Sequence, residues 1–134
     1  MNPNYPIVAE RAGHRCEYCH APEAIFNVPF EVDHIIPLAK GGRDEPSNWA
    51  LACRVCNLRK SATTEGIDPF TNQPTALFHP REQAWGDHFL AYSDTPFSME
   101  GKTPTGRVTI ERLQMNAPLQ IAAPAQWVAL GLFP

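Results

Sequence analysis

The sequence has no apolar run near the roughly 20 residues that a membrane-spanning helix requires. Its first fifteen residues lack the apolar stretch of a secretory signal. There is no internal repeat and no low-complexity tract. These absences lead us to expect a cytoplasmic protein without a membrane partner. A basic excess is also missing: 11 Lys and Arg stand against 14 Asp and Glu, for a net charge of −3. The chain is therefore not a strongly cationic nucleic-acid clamp. Residues 1–64 hold seven basic and seven acidic residues, and residues 65–134 hold four and seven. Any polyanion should bind the first half, in a salt-sensitive way.

The 134 residues suit one domain with a modest core. Hydrophobic residues make up 43%, enough for a globular fold, and 14 prolines keep many segments short. We expect a core over 1–64, and an appendage of loop, hairpin and helix over 65–134 packed on it as one compact domain. A short helix is expected over Ile7–Ala12, stopped by Gly13. The Val- and Ile-rich stretch Phe30–Leu38 reads as a strand region. Ser47 is placed to cap a turn holding Asn48 and Trp49. A helix is expected over Arg54–Thr63. Residues 65–80 read as a loop, broken by Gly66, Pro69, Pro74 and Pro80. Phe89–Tyr92 and Phe97–Met99 suit a hairpin across Ser93–Pro96. Thr103 and Pro104 form an N-cap and first-turn pair for a helix to about Gln114. A last helix is expected over Pro124–Leu132. Trp85, Phe89 and Trp127 read as core, and His79 and His88 as structural.

Cys16-Glu-Tyr-Cys19 and Cys53-Arg-Val-Cys56 are two Cys-x-x-Cys knuckles. Each spacing lets one tight turn present two sulfurs, and two turns complete a tetrahedral zinc site. In a reducing compartment such cysteines are metal ligands rather than disulfides. His14 and His20 flank the first pair but are not needed in a set of four. A closed four-sulfur site has no open coordination position, so this zinc should hold the fold and perform no chemistry.

The 33 residues between the knuckles imply an inserted unit. It reads Glu31-Val-Asp33-His34-Ile-Ile-Pro-Leu-Ala-Lys40-Gly-Gly-Arg43, then Asn48-Trp-Ala-Leu; the second knuckle follows, then Asn57-Leu-Arg-Lys60. Residues 16–61 resemble the HNH nuclease family in its cysteine-knuckle form. The resemblance implies an α+β fold: a small ββα-metal (His-Me finger) core stapled by a four-cysteine zinc site, here with an α/β C-terminal appendage. It implies endonucleolytic hydrolysis of DNA, with duplex as substrate and 5′-phosphate and 3′-hydroxyl products. His34 would be the general base and Asn48 would fix the loop around it. Asp33 and Asn57 would hold a catalytic divalent ion. Asn57 stands where many members carry His. Two oxygen ligands without an imidazole favour Mg²⁺ or Mn²⁺.

Lys60 lies one turn after Asn57 on the same expected helix face and is a candidate for phosphate contact or transition-state stabilisation. Lys40, Arg43, Arg54 and Arg59 are candidate backbone contacts. Adjacent strand residues point to opposite faces, so Asp33 and His34 can share a site only if the strand bulges, twists or ends there. We expect such an irregularity. The competing function is a non-catalytic zinc module that binds nucleic acid or protein, which the acidic balance favours and the Asp33-His34-Asn57 set opposes.

Overall fold

The computed structural model describes residues 2–92 and 97–134. They form two compact units: residues up to Thr64 together with His79–Glu82, and Glu65–Phe78 together with Gln83–Pro134.

The first unit begins with α1, Tyr5–Arg11. Pro6 sits in its first turn, where a missing N–H costs nothing. The helix buries Val8 and Ala9 completely. Gly13, at φ +62°, turns the chain away in the left-handed region open to glycine. Strand β1, Glu31–His34, pairs antiparallel with β2, Trp49–Ala52. All four β2 residues are buried. Helix α2, Arg54–Lys60, follows directly and completes a ββα unit. The expected strand region is thus shorter than its apolar run: Pro37 precedes a 3-10 turn at Leu38–Lys40. The turn at Pro46–Asn48 has no side-chain cap, and Trp49 already belongs to β2. Helix α2 stops at Lys60, before the expected Thr63, because Ser61 takes φ +51°.

Glu17 stitches the first knuckle to β2. Its backbone N–H donates to Leu51 O at 2.8 Å, and its Oε2 accepts from Leu51 N at 2.8 Å. Its other carboxylate oxygen pairs with Arg81, from the returning segment His79–Glu82. Sequence distance hid this contact.

In the second unit the expected loop at 65–80 contains a hairpin, β3 (Glu65–Ile67) with β4 (Pro74–Ala76). Asp68 makes its turn possible: the carboxylate accepts from Phe70 N and Thr71 N and forms a bidentate pair with Arg107 at 2.9 Å. Pro74 ends up on a two-stranded edge, where a missing donor is tolerated. A short helix α3, Trp85–His88, leads into β5, Phe89–Tyr92, which pairs with β6, Ser98–Gly101. The expected turn at Ser93–Pro96 lies outside the described residues. Helix α4, Pro104–Leu113, is capped by Thr103, whose Oγ1 accepts from Gly106 N at 3.0 Å. The last helix, α5, runs Pro118–Ala129, starting earlier than expected because Pro118 serves as its first-turn proline and Pro124 is accommodated inside it. Phe89 is core, whereas Trp85 and Trp127 are half-buried against Phe89 and Phe133. His88 Nδ1 bonds Thr103 Oγ1 at 2.6 Å, a structural role.

Candidate active site and metal centres

The two knuckles bring Cys16, Cys19, Cys53 and Cys56 together, with all four sulfurs within 4.8 Å of one another. A zinc–sulfur bond of about 2.3 Å places tetrahedral sulfurs about 3.8 Å apart, and Cys19 Sγ lies 3.8 Å from Cys53 Sγ. Each knuckle is locally stabilised. Cys19 N donates to Cys16 Sγ at 3.5 Å, and Cys56 N to Cys53 Sγ at 3.4 Å. Cys53 is thereby the N-cap of α2, its sulfur doing what a serine oxygen usually does. Hydrogen bonding with Cys16 and the other sulfurs pushes the Cys19 and Cys56 thiols up and Cys53 down. Four thiols this close cannot all ionise without a cation among them. The donor set and spacing fit zinc. His14 bonds Glu23 instead, and His20 is not among the clustered ligands.

Strand β1 is regular through Asp33 and His34, which pair with Ala50 and Trp49. The strand ends at His34, one of the three departures that a shared site requires. Within the strand, alternation turns the two side chains in different directions. Asp33 is buried, with Oδ2 accepting from Tyr18 OH at 2.7 Å. Lys60 Nζ lies 3.1 Å from Oδ2 and 3.3 Å from Oδ1, and also donates to His34 O at 3.2 Å. Burial pushes the Asp33 carboxyl up, against the opposing pull of Lys60 and Tyr18. Two residues earlier on the same face, Glu31 accepts from Asn57 Nδ2 at 2.8 Å and from Arg54 Nη1 at 3.0 Å. Asn57 and Lys60, three apart on α2, thus both face β1, as their spacing implies.

The fit of a divalent ion to this face has two sides. Glu31, Asp33 and the Asn57 amide are hard oxygen donors, and their chemistry suits Mg²⁺ or Mn²⁺. Both Asp33 oxygens, however, are already satisfied from the protein. An ion at Asp33 has to share it with, or take it from, the Lys60 ammonium.

His34 closes the strand. Its Nε2 lies 2.9 Å from Asp44 Oδ1, and the same oxygen accepts from Trp49 Nε1 at 3.0 Å. Those hydrogen bonds, His34's first, hold the Asp44 carboxyl below its usual range. Among the described residues the His34 ring bonds to Asp44 and not to the Asp33 cluster. Asn48 is buried and fastens the intervening loop. Its Oδ1 accepts from Ile36 N, and its Nδ2 donates to Ile36 O and Arg43 O, all at 2.8–2.9 Å.

The candidate cations divide. Lys40 and Arg43 are exposed on the loop. Arg54 is exposed but paired with Glu31, and Arg59 is half-buried. Lys60, expected among the nucleic-acid contacts, is 1% exposed, and its ammonium lies in an internal ion pair with Asp33. Sequence reasoning passed over Tyr18, Glu31 and Asp44. Strand alternation alone puts Glu31 on the Asp33 face and was the available signal. Asp44 meets His34 from ten positions further along the chain and left none.

The HNH endonuclease family model matches residues 16–63, the segment holding both knuckles, β1, β2 and α2. Comparison with curated proteins and with solved structures gives no match.

Proposed function

We propose that the HNH segment at residues 16–63 is a metal-dependent endonuclease that hydrolyses phosphodiester bonds of duplex DNA. The observation that carries this reading is the family match falling on a β1 strand that bears Asp33 and His34 and meets α2 through Glu31–Asn57 and Asp33–Lys60. In this reading His34 removes a proton from the attacking water, a task suited to an imidazole near neutral pH. Asp33 and Asn57 hold Mg²⁺ or Mn²⁺, with Glu31 beside them. When bound, that ion supplies charge neutralisation at the scissile phosphate. Asn48 keeps the loop closed around His34. Lys60 acts from behind the site, holding Asp33, while Lys40, Arg43, Arg54 and Arg59 meet the DNA backbone. Zinc at the four cysteines holds the ββα unit together, and reduced thiols accord with a cytoplasmic location.

A second reading draws on a specific observation. Asp33 is neutralised by Lys60 and shielded from solvent, which is how a non-catalytic zinc module would use it. Supercoiled plasmid distinguishes the two. The endonuclease reading expects nicking with Mg²⁺ or Mn²⁺, none with chelator, and loss in His34→Ala. Wild-type protein that leaves plasmid intact with every divalent ion favours the module.

A further inference from the structure

We propose that Asp44 is the positioning residue of His34, fixing the imidazole in the tautomer that leaves Nδ1 as its proton acceptor. The inference rests on the nuclease reading above, because it assigns geometry to the base of that reaction.

The hydrogen bond has only one sense. Trp49 Nε1 can only donate, so Asp44 Oδ1 is its acceptor. The Asp44 carboxyl is held below its usual range and is ionised near neutral pH, so it accepts from His34 as well. His34 Nε2 must therefore carry the hydrogen, and in a neutral ring the lone pair lies on Nδ1. A carboxylate that fixes one ring nitrogen of a histidine sets the tautomer and orientation in which the other nitrogen works.

The loop is built to keep Asp44 there. A side chain at Gly42 would overlap the Ile36 carbonyl oxygen and crowd Asn48 Nδ2, so the chain can pass only without a Cβ. Asn48 binds both strands of that passage, at Ile36 and at Arg43, the residue before Asp44. Arg11 fastens the loop's far end by donating to Pro46 O and Trp49 O. Trp49 pairs with His34 across the two strands, so the indole and the imidazole reach the same oxygen from paired positions. A single hydrogen bond this exposed adds little stability. Its contribution is orientation.

The test uses the full zinc-loaded chain labelled with ¹⁵N, at about pH 8, above the usual histidine range. Wild-type His34 should carry its proton on Nε2, and Asp44→Ala should show a mixture of tautomers. On plasmid with Mn²⁺, Asp44→Ala should lose about tenfold or more in kcat with KM little changed. Asp44→Asn keeps an oxygen for both Trp49 and His34; it should retain the wild-type tautomer and recover most of the lost rate. A wild-type ring protonated on Nδ1, or an Asp44→Ala protein with unchanged spectrum and kcat, overturns the proposal. A wild-type protein that holds the Nε2–H tautomer yet never nicks plasmid overturns the nuclease reading instead, and with it any catalytic use of the pair.

Discussion

Lys60 Nζ lies 3.1 Å from Asp33 Oδ2, and the two side chains are 2% and 6% exposed. The pair joins the last turn of α2 to the middle of β1, and Tyr18 OH ties the same carboxylate to the first cysteine knuckle. Helix, strand and zinc loop therefore meet at one buried carboxylate.

Removing one partner of such a pair leaves an uncompensated charge, which costs about 3–5 kcal/mol. Lys60→Ala should lower stability by that amount in urea unfolding, and Asp33→Ala by a similar amount. Replacing both with apolar residues of similar volume should cost much less than the sum of the single changes. Single variants with wild-type stability would mean that the charges are not paired in solution.

The same ammonium bears on metal binding. In the proposed nuclease a divalent ion at Asp33 sits close to Lys60. One like-charge contact at about 4 Å is worth ~1 kcal/mol in water and more where water is excluded. Lys60→Met, if it folds, should bind Mn²⁺ on the order of tenfold more tightly than wild type, measured by the loss of free Mn²⁺ spin signal. Unchanged or weaker affinity would show that Asp33 does not hold the ion.

What the sequence made legible is what is local or periodic. The two knuckles declare themselves by spacing, and their four sulfurs do converge. The Thr103–Pro104 cap forms as written, since cap and acceptor are three residues apart. Asn57 and Lys60 share a helix face because their spacing demands it. The strand irregularity expected at Asp33–His34 takes the form of an end: pairing is regular through both residues, and β1 stops at His34. The β3–β4 hairpin escaped because its prolines and glycine argue for a loop, while the group that closes its turn, Asp68, draws on Arg107, 39 residues away. Arg81 and Glu17 likewise meet across a distance no local pattern records.

Zinc should be inseparable from the fold of the first unit. One atom per chain is expected, with the four cysteines as ligands. Binding energy at such a site is folding energy. A strong chelator should therefore abolish the near-ultraviolet signal, and Cys53→Ala should do the same while also deleting the N-cap of α2. Zinc-free protein with an intact spectrum and wild-type Tm would remove the structural role.

Arg81 should matter to that same knuckle although it lies well beyond it in sequence. Its partner Glu17 also accepts from Leu51 N, so the ion pair orients a carboxylate that joins knuckle to β2. Both groups are largely buried, and burial holds the Arg81 guanidinium below its usual value. A hydrogen bond to a charged group contributes about 1.5–3 kcal/mol. Arg81→Ala should destabilise by at least that much, and Arg81→Lys, which lacks the planar fork, should recover only part of it. Chemical denaturation of the zinc-loaded variants measures both.

Asp68 predicts how the second unit responds to acid. Its side chain is fully enclosed, and the Arg107 guanidinium, with Thr71 and the backbone N–H groups of Phe70 and Thr71, holds its carboxyl well below the carboxylate range. Because the folded value lies below the unfolded one, near 3.9, the stabilisation is complete above the unfolded value. It is lost as pH falls through the folded one. Thermal unfolding followed from pH 7 to pH 2 should show Tm falling below about pH 4 from this source. Asp68→Asn should start lower at pH 7, because Arg107 loses its charged partner, and should converge on the wild type in acid. Parallel wild-type and Asp68→Asn curves throughout that range would mean that Asp68 titrates normally and that the Arg107 pair does not close the β3–β4 turn.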